Sequence, residues 1–286
     1  MASKLNCYIR LMRLDKPIGI YLLAWPMLWA LWIAGQGHPD YLIVIIFLIG
    51  AVLMRSAGCV INDYADRKID AHIARTKTRP LATGEVSPRE ALILFAVLIF
   101  MAALSLLWLN MLTIQLAFVA VGLATLYPFM KRFTHLPQFV LGAAFACSVP
   151  MAFAAISNQL PLIAWLLLGA TMLWVVAYDT MYAMVDRDDD LKIGVKSTAI
   201  LFGSHDRLII GLLQLAMLAL LVIVAKMLAL GIYAWLGLLC AAGLSLYQQW
   251  LIKDRQAQRC FQAFLNNHYL GALIFSGLVL DYALRP

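Results

Sequence analysis

"CVINDYADRKID", residues 59–70, follows almost directly on "YLIVIIFLIGAVLM", residues 41–54, a stretch without a single charge. The apolar run spans 41–60 with Arg55 as its only charged residue, and it is followed by Asp63, Asp66 and Asp70. Twenty such residues are enough to cross a bilayer as a helix. The question is whether the rest of the chain reads the same way.

It does. Hydrophobic residues make up 64% of the 286 and charged ones 13%, and mean hydropathy is +0.85. A water-soluble domain averages about 45–50% apolar and about 25% charged. Nine segments qualify as candidate spans: 17–35, 41–60, 91–109, 112–129, 136–156, 161–183, 208–228, 232–251 and 268–284. They leave no room for a separate soluble domain. The expected fold is all-α, a polytopic membrane bundle forming one domain over residues 1–286.

Charge sets the orientation. Of the 22 Lys and Arg, 19 fall on one side of the expected membrane: four before the first span, six in 61–90, two in 130–135, four in 184–207 and three in 252–267. By the positive-inside rule the amino terminus and the two long loops are expected to be cytoplasmic. The net charge of +7 is then a topological signal, with some attraction to anionic lipid. No soluble basic face exists to offer nucleic acid. The first apolar run is 19 residues long and lacks a small-x-small cleavage site, so it reads as a retained span. No transit-peptide-like extension precedes it, which points to the bacterial inner membrane. The five cysteines and five histidines are scattered without zinc or CxxC spacing.

The acids are not scattered. Asn62, Asp63, Asp66 and Asp70 lie in one cytoplasmic loop region, and Asp179, Asp186, Asp188, Asp189 and Asp190 in or before another, "YDTMYAMVDRDDDLKIGVKS". Residues four apart share a helical face. Asn62, Asp66 and Asp70 therefore line one side of the extended second span, and Tyr182, Asp186 and Asp190 one side of the sixth. A lone DxxxD is usually a solvated loop pattern. Here it occurs twice, at helix carboxyl ends, where the macrodipole disfavours negative charge by about 0.3–1 kcal/mol per group. Such clusters want a cation, and an oxygen-only donor set suits Mg²⁺, which commonly bridges to phosphates. Arg55 and Asp179 lie seven residues before Asn62 and Asp186, each on its motif's face; ionisable groups inside spans are functional candidates, although pairing within the bundle explains them equally well. Bases follow the acids: Arg75, Lys77 and Arg79, then Lys192 and Lys196, with Tyr127, Lys131 and Arg132 at the end of the fourth span. Acid for metal and base for phosphate, gathered above an apolar bundle, fit a lipid diphosphate.

At this point the chain resembles the intramembrane aromatic prenyltransferases of the UbiA superfamily. "NDYADRKID" fits their NDxxDxxxD pattern, and "DRDDD" ends the second DxxxD. The blocks "LMRLDKPIG", "RTKTRPLATG", "YPFMKRFTHLPQ", "PMAFAA" and "AYDTMYAMVDRDDDLKIGVKSTAILFG" are most similar to the members that prenylate 4-hydroxybenzoate in ubiquinone biosynthesis. The resemblance implies nine transmembrane helices around a central cavity. It implies Mg²⁺-dependent transfer of a polyprenyl group from its diphosphate to the ring carbon ortho to the hydroxyl of 4-hydroxybenzoate. On this reading Asn62, Asp66 and Asp70 hold one Mg²⁺, and Asp186 and Asp190 a second. Arg79, Lys131, Lys192 and Lys196 neutralise phosphate charge, and Arg132 joins the four aspartates as catalytic. Tyr127, Asp179 and Tyr182 contact substrate, Asp186 or a neighbour orients or deprotonates the phenol, and Arg55 meets either the acceptor carboxylate or the diphosphate. The alternatives are a naphthoate or homogentisate prenyltransferase and, from another class, a secondary transporter. A transporter would place its charges at the midplane, whereas these gather at one interface.

Overall fold

The computed structural model describes residues 3–70, 76–130 and 132–285, without the side chains of 68–70 and 193. Among these residues the regular structure is entirely helical. The helices are α1 (Lys4–Leu11), α2 (Ile18–Ala34), α3 (Tyr41–Asp70), α4 (Pro88–Ser105), α5 (Met111–Met130), α6 (Pro137–Ala146), α7 (Ser148–Ser157), α8 (Leu162–Ile193), α9 (Thr198–Phe202), α10 (Asp206–Met227), α11 (Ile232–Leu251) and α12 (Ala257–Ala283). Eight stretches of the described residues are long and apolar enough to cross a membrane. The ninth expected span, α2, has 17 residues and reaches about 25 Å at 1.5 Å per residue. The protein is a multi-pass membrane protein.

Local chemistry fixes the helix ends. Ser87 and Glu90 form a reciprocal capping box with Pro88 in the first turn of α4, so this helix begins three residues before the expected 91. The span expected at 136–156 is two helices, α6 and α7, meeting at Cys147. Pro150 has no N–H for the Ala146 carbonyl and its ring crowds that oxygen, which breaks the ladder there. The last span starts at Ala257 rather than 268, because Gln258, Arg259, Gln262, Asn266 and Asn267 mask its first turns in the hydropathy pattern.

Packing closes a ring: α2 contacts α3, α3 contacts α5, then α6, α8 and α12 follow in turn, and α12 returns to α2. α4 leans on α3 from outside, α10 on α8, and α11 on α12. Half of the most apolar window is buried in α3 and α8, against 11% in α4 and 17% in α5. α4 and the outward side of α5 therefore present large apolar residues such as Ile93, Phe100 and Phe118 to lipid. Aromatic stacking ties the ring: Trp29 and Trp174 stack at 5.3 Å, the Trp29 indole donates to the Gly271 carbonyl at 3.1 Å, and the Trp174 indole to Asn267 Oδ1 at 2.8 Å. Gly271 is required there, since a Cβ would meet Trp25 at 2.5 Å. A smaller apolar cluster of Cys7, Leu11, Ala57, Val60, Leu81 and Val86 fastens α1 and the segment before α4 onto α3.

Candidate active site

α3 and α8 have 30 and 32 residues, about 45 and 48 Å at 1.5 Å per residue. A hydrocarbon core is about 30 Å thick, so both helices project beyond it and carry Asp63, Asp66, Asp186 and Asp190 on the projecting turns. Inside the ring is a cavity of about 1110 Å³ that opens at this charged end. Of the residues expected to form the site, Arg55, Asn62, Asp66, Arg79, Tyr127, Asp179, Tyr182, Asp186, Asp190 and Lys196 all line it. Two helices a hundred residues apart in sequence thus bring their acid faces to one space.

The deeper wall is less polar, with Leu22, Leu141, Phe145, Tyr178, Phe264 and Leu265. Arg55 sits against it, its guanidinium 6.0 Å from the Phe145 ring centroid. Arg55 makes no ion pair among the described residues, and its Nε is buried without a hydrogen-bond partner. The Tyr178 hydroxyl is in the same condition, on a residue 2% exposed. Buried polar groups are normally satisfied, so a cavity lined by two orphaned ones is shaped for something that supplies partners.

The family-model comparison matches residues 23–273 to the UbiA prenyltransferase family. The chain belongs to that family. Among curated relatives, it is 59% identical over 277 residues to a 4-hydroxybenzoate octaprenyltransferase of Aeromonas salmonicida (strain A449), covering 97% of this chain and 96% of the relative. Among solved structures, the apo UbiA homolog from Aeropyrum pernix K1 is 26% identical with a TM-score of 0.81, over 91% of this chain and 97% of that one. A UbiA homolog from Archaeoglobus fulgidus bound to GPP and Mg²⁺ is 17% identical with a TM-score of 0.73, over 95% and 99%, and shares the fold.

Not every expected residue faces the cavity. Lys192 is not among the lining residues; its side chain is 73% exposed and pairs with Asp189 at 3.2 Å. Gly194, at φ 72°, ends α8, and the reversal of the chain returns Lys196 to the cavity, where its Nζ donates to the Phe133 carbonyl at 3.3 Å. Arg132 also lies outside the cavity wall. It donates to the Ala65 carbonyl at 2.9 Å and rests on Phe129, a brace between α5 and α3. Lys131, Arg75 and the side chain of Asp70 lie outside the described residues.

Other lining residues carried no assigned role in the sequence reading. Tyr178 adjoins Asp179 in chain order, which was its only signal. Asp63 and Arg13 stand in quoted blocks, but nothing in their spacing pairs them. They meet at 2.7 Å, with the Asp63 side chain 2% exposed. Burial works against the Arg13 charge, but Asp63, with Cys59 and Tyr182 nearby, outweighs it, and together they raise the guanidinium pKa above its ordinary value.

Donor chemistry decides whether a metal fits. Asn62, Asp66, Asp186 and Asp190 offer oxygen alone, as a hard cation requires. Among the described residues no three His, Cys, Asp or Glu converge into a ready-made cage. Mg²⁺ keeps waters and is commonly held by one or two carboxylates plus substrate phosphates. The residues fit such an ion.

Proposed function

We propose that this chain transfers a polyprenyl group from polyprenyl diphosphate to the carbon ortho to the hydroxyl of 4-hydroxybenzoate, in ubiquinone biosynthesis. One observation carries the reading: acids from two helices, the bases Arg79 and Lys196, and an unpaired Arg55 share one cavity. The name of the 59% identical relative supports the acceptor. The charged end is taken as cytoplasmic in a bacterial inner membrane, from the distribution of Lys and Arg.

Chemistry follows from the placement. The donor's diphosphate belongs among the aspartates and its tail among the apolar residues below. Bound there, Mg²⁺ would neutralise leaving-group charge as a Lewis acid and template. Asn62, Asp66 and Asp70 would hold one ion, Asp186 and Asp190 another. Arg79 and Lys196 add fixed positive charge where the departing oxygen gains negative charge; Lys131, Lys192 and Arg132 are further candidates, of which Lys192 and Arg132 stand outside the cavity wall. As the carbon–oxygen bond to diphosphate breaks, the allylic carbon becomes electron-poor, and the aromatic wall keeps water from it. Arg55 would take the acceptor's carboxylate in a bidentate pair, turning the phenol toward the charged end. Tyr127, Asp179 and Tyr182 flank the ring, and Asp186 or a neighbouring carboxylate orients or deprotonates the hydroxyl. A carbon–carbon bond then forms ortho to that oxygen, the ring proton leaves to a carboxylate or water, and diphosphate departs.

The test uses membranes containing this protein, polyprenyl diphosphate, 4-hydroxybenzoate and Mg²⁺, with product mass as the readout. A C-prenylated hydroxybenzoate that disappears with EDTA establishes the reaction. Product with naphthoate or homogentisate only would move the acceptor assignment, and no product with any acceptor would overturn the reading.

A further inference from the structure

Asp63 stands beside the acid face of α3 but is engaged by cationic side chains. At about 3.6 residues per turn it lies about 100° around the helix from Asn62, about 60° from Asp66 and about 20° from Asp70, so its partners rather than its direction set it apart. Its Oδ1 accepts from Arg13 Nη2 at 2.7 Å and pairs with Arg79 Nη1 at 3.0 Å. The side chains of both arginines are largely covered, 27% and 16% exposed, and both residues line the cavity.

Neither arginine is aimed by a helix. Arg79 sits in a turn, its N–H donating to the Thr76 carbonyl. Arg13 adopts φ 57°, a left-handed conformation uncommon outside glycine. The turn around it is stitched by Arg13 N–H to Arg10 O, Leu14 N–H to Ile9 O and Lys16 N–H to Arg13 O. The same amino-terminal segment grips the segment carrying Arg79 at further points. Arg10 pairs with Glu85 at 2.8 Å and donates to the Thr78 carbonyl at 3.0 Å, and Lys4 pairs with Glu90.

We propose that Asp63 is a positioning residue, holding Arg79 at the diphosphate end of the cavity, and that the amino-terminal segment through Arg13 is part of this arrangement. It rests on the reading that Arg79 meets diphosphate. A long side chain on an irregular segment loses rotamer entropy when it binds; anchoring it to a buried carboxylate removes that loss in advance. One carboxylate shared by two guanidiniums leaves a net positive charge, so the anchor does not cancel the attraction for diphosphate. The planar Arg79 fork meets Asp63 through Nη1.

The test is steady-state kinetics of full-length protein in liposomes, together with calorimetric binding of inorganic diphosphate in the presence of Mg²⁺. Asp63→Asn is expected to raise KM for polyprenyl diphosphate about tenfold, the size of one charge-assisted hydrogen bond. KM for 4-hydroxybenzoate and the half-saturating Mg²⁺ concentration stay within about twofold, because the Asp63 carboxylate is already engaged by Arg13 and Arg79. Arg13→Ala gives the same pattern more weakly and Arg13→Lys restores most of it; these two read the proposal if Asp63→Asn does not purify. A raised Mg²⁺ requirement with unchanged donor KM would make Asp63 a metal ligand and overturn the proposal, as would a fall in kcat with no change in donor KM. Inorganic diphosphate binding separates the two readings: wild-type protein that transfers no prenyl group refutes the function, whereas weaker diphosphate binding by Asp63→Asn still supports the anchor.

Discussion

Arg55 fills the space that a side chain on Gly19 would need: an added Cβ would stand 2.1 Å from Arg55 Nε and 2.6 Å from its Nη2. A glycine on α2 therefore sets where the one unpaired guanidinium of the deep wall can lie. Gly19→Ala is expected to displace Arg55 and raise KM for 4-hydroxybenzoate about tenfold, the loss of one charge-assisted bond, with donor KM little changed. Acceptor titrations at saturating donor check it; an unchanged acceptor KM would remove Arg55 from the acceptor side.

Asp66→Asn and Asp186→Asn each remove a charged oxygen donor while preserving shape. Each is expected to cut turnover by about a hundredfold or more, the scale of losing a preorganised electrostatic stabiliser, while the protein inserts and purifies normally. Near-wild-type turnover at saturating Mg²⁺ in either variant would undo the metal assignment.

Lys192 and Lys196 separate two roles that sequence places together. Lys192→Ala removes an exposed partner of Asp189 and is expected to change kcat/KM by less than about twofold, as for most exposed ion pairs. Lys196→Ala removes a cation from the cavity wall and is expected to raise donor KM several-fold. Equal effects from both would contradict the placement of Lys192.

Asp206 is fully buried between Arg187, at 3.0 Å, and Arg255, at 2.8 Å, and Arg187 also donates to the carbonyls of Ala199 and Gly203. Asp206→Ala leaves Arg187 without its carboxylate, and losing one partner of a buried pair costs about 3 kcal/mol. Thermal unfolding in detergent would show a lowered Tm, and an unchanged Tm would mean that this triad does not secure the projecting end of α8.

The bundle and the acid faces were legible because both are periodic. Apolar runs of membrane length and a DxxxD spacing each survive as one-dimensional patterns, and Asn62, Asp66, Asp186 and Asp190 line one cavity as that spacing suggested. What escaped depends on chain reversals. Arg13 meets Asp63 across 50 positions, through a left-handed turn that no period encodes. Lys192 and Lys196 are one helical turn apart in sequence, yet the left-handed cap at Gly194 sends them to different surroundings. The break at Cys147 was hidden because α6 and α7 are equally apolar, and only Pro150 marked it.

The overhang of α3 and α8 beyond the hydrocarbon bears on where the two products go. Bond breaking at those projecting turns leaves the two products on opposite sides of a phase boundary: diphosphate is released into water, and the prenylated ring stays tethered in lipid. Both directions need a dilute solute and a membrane-confined molecule to meet at one cavity mouth, so helix length sets where the transfer occurs and into which phase each product parts.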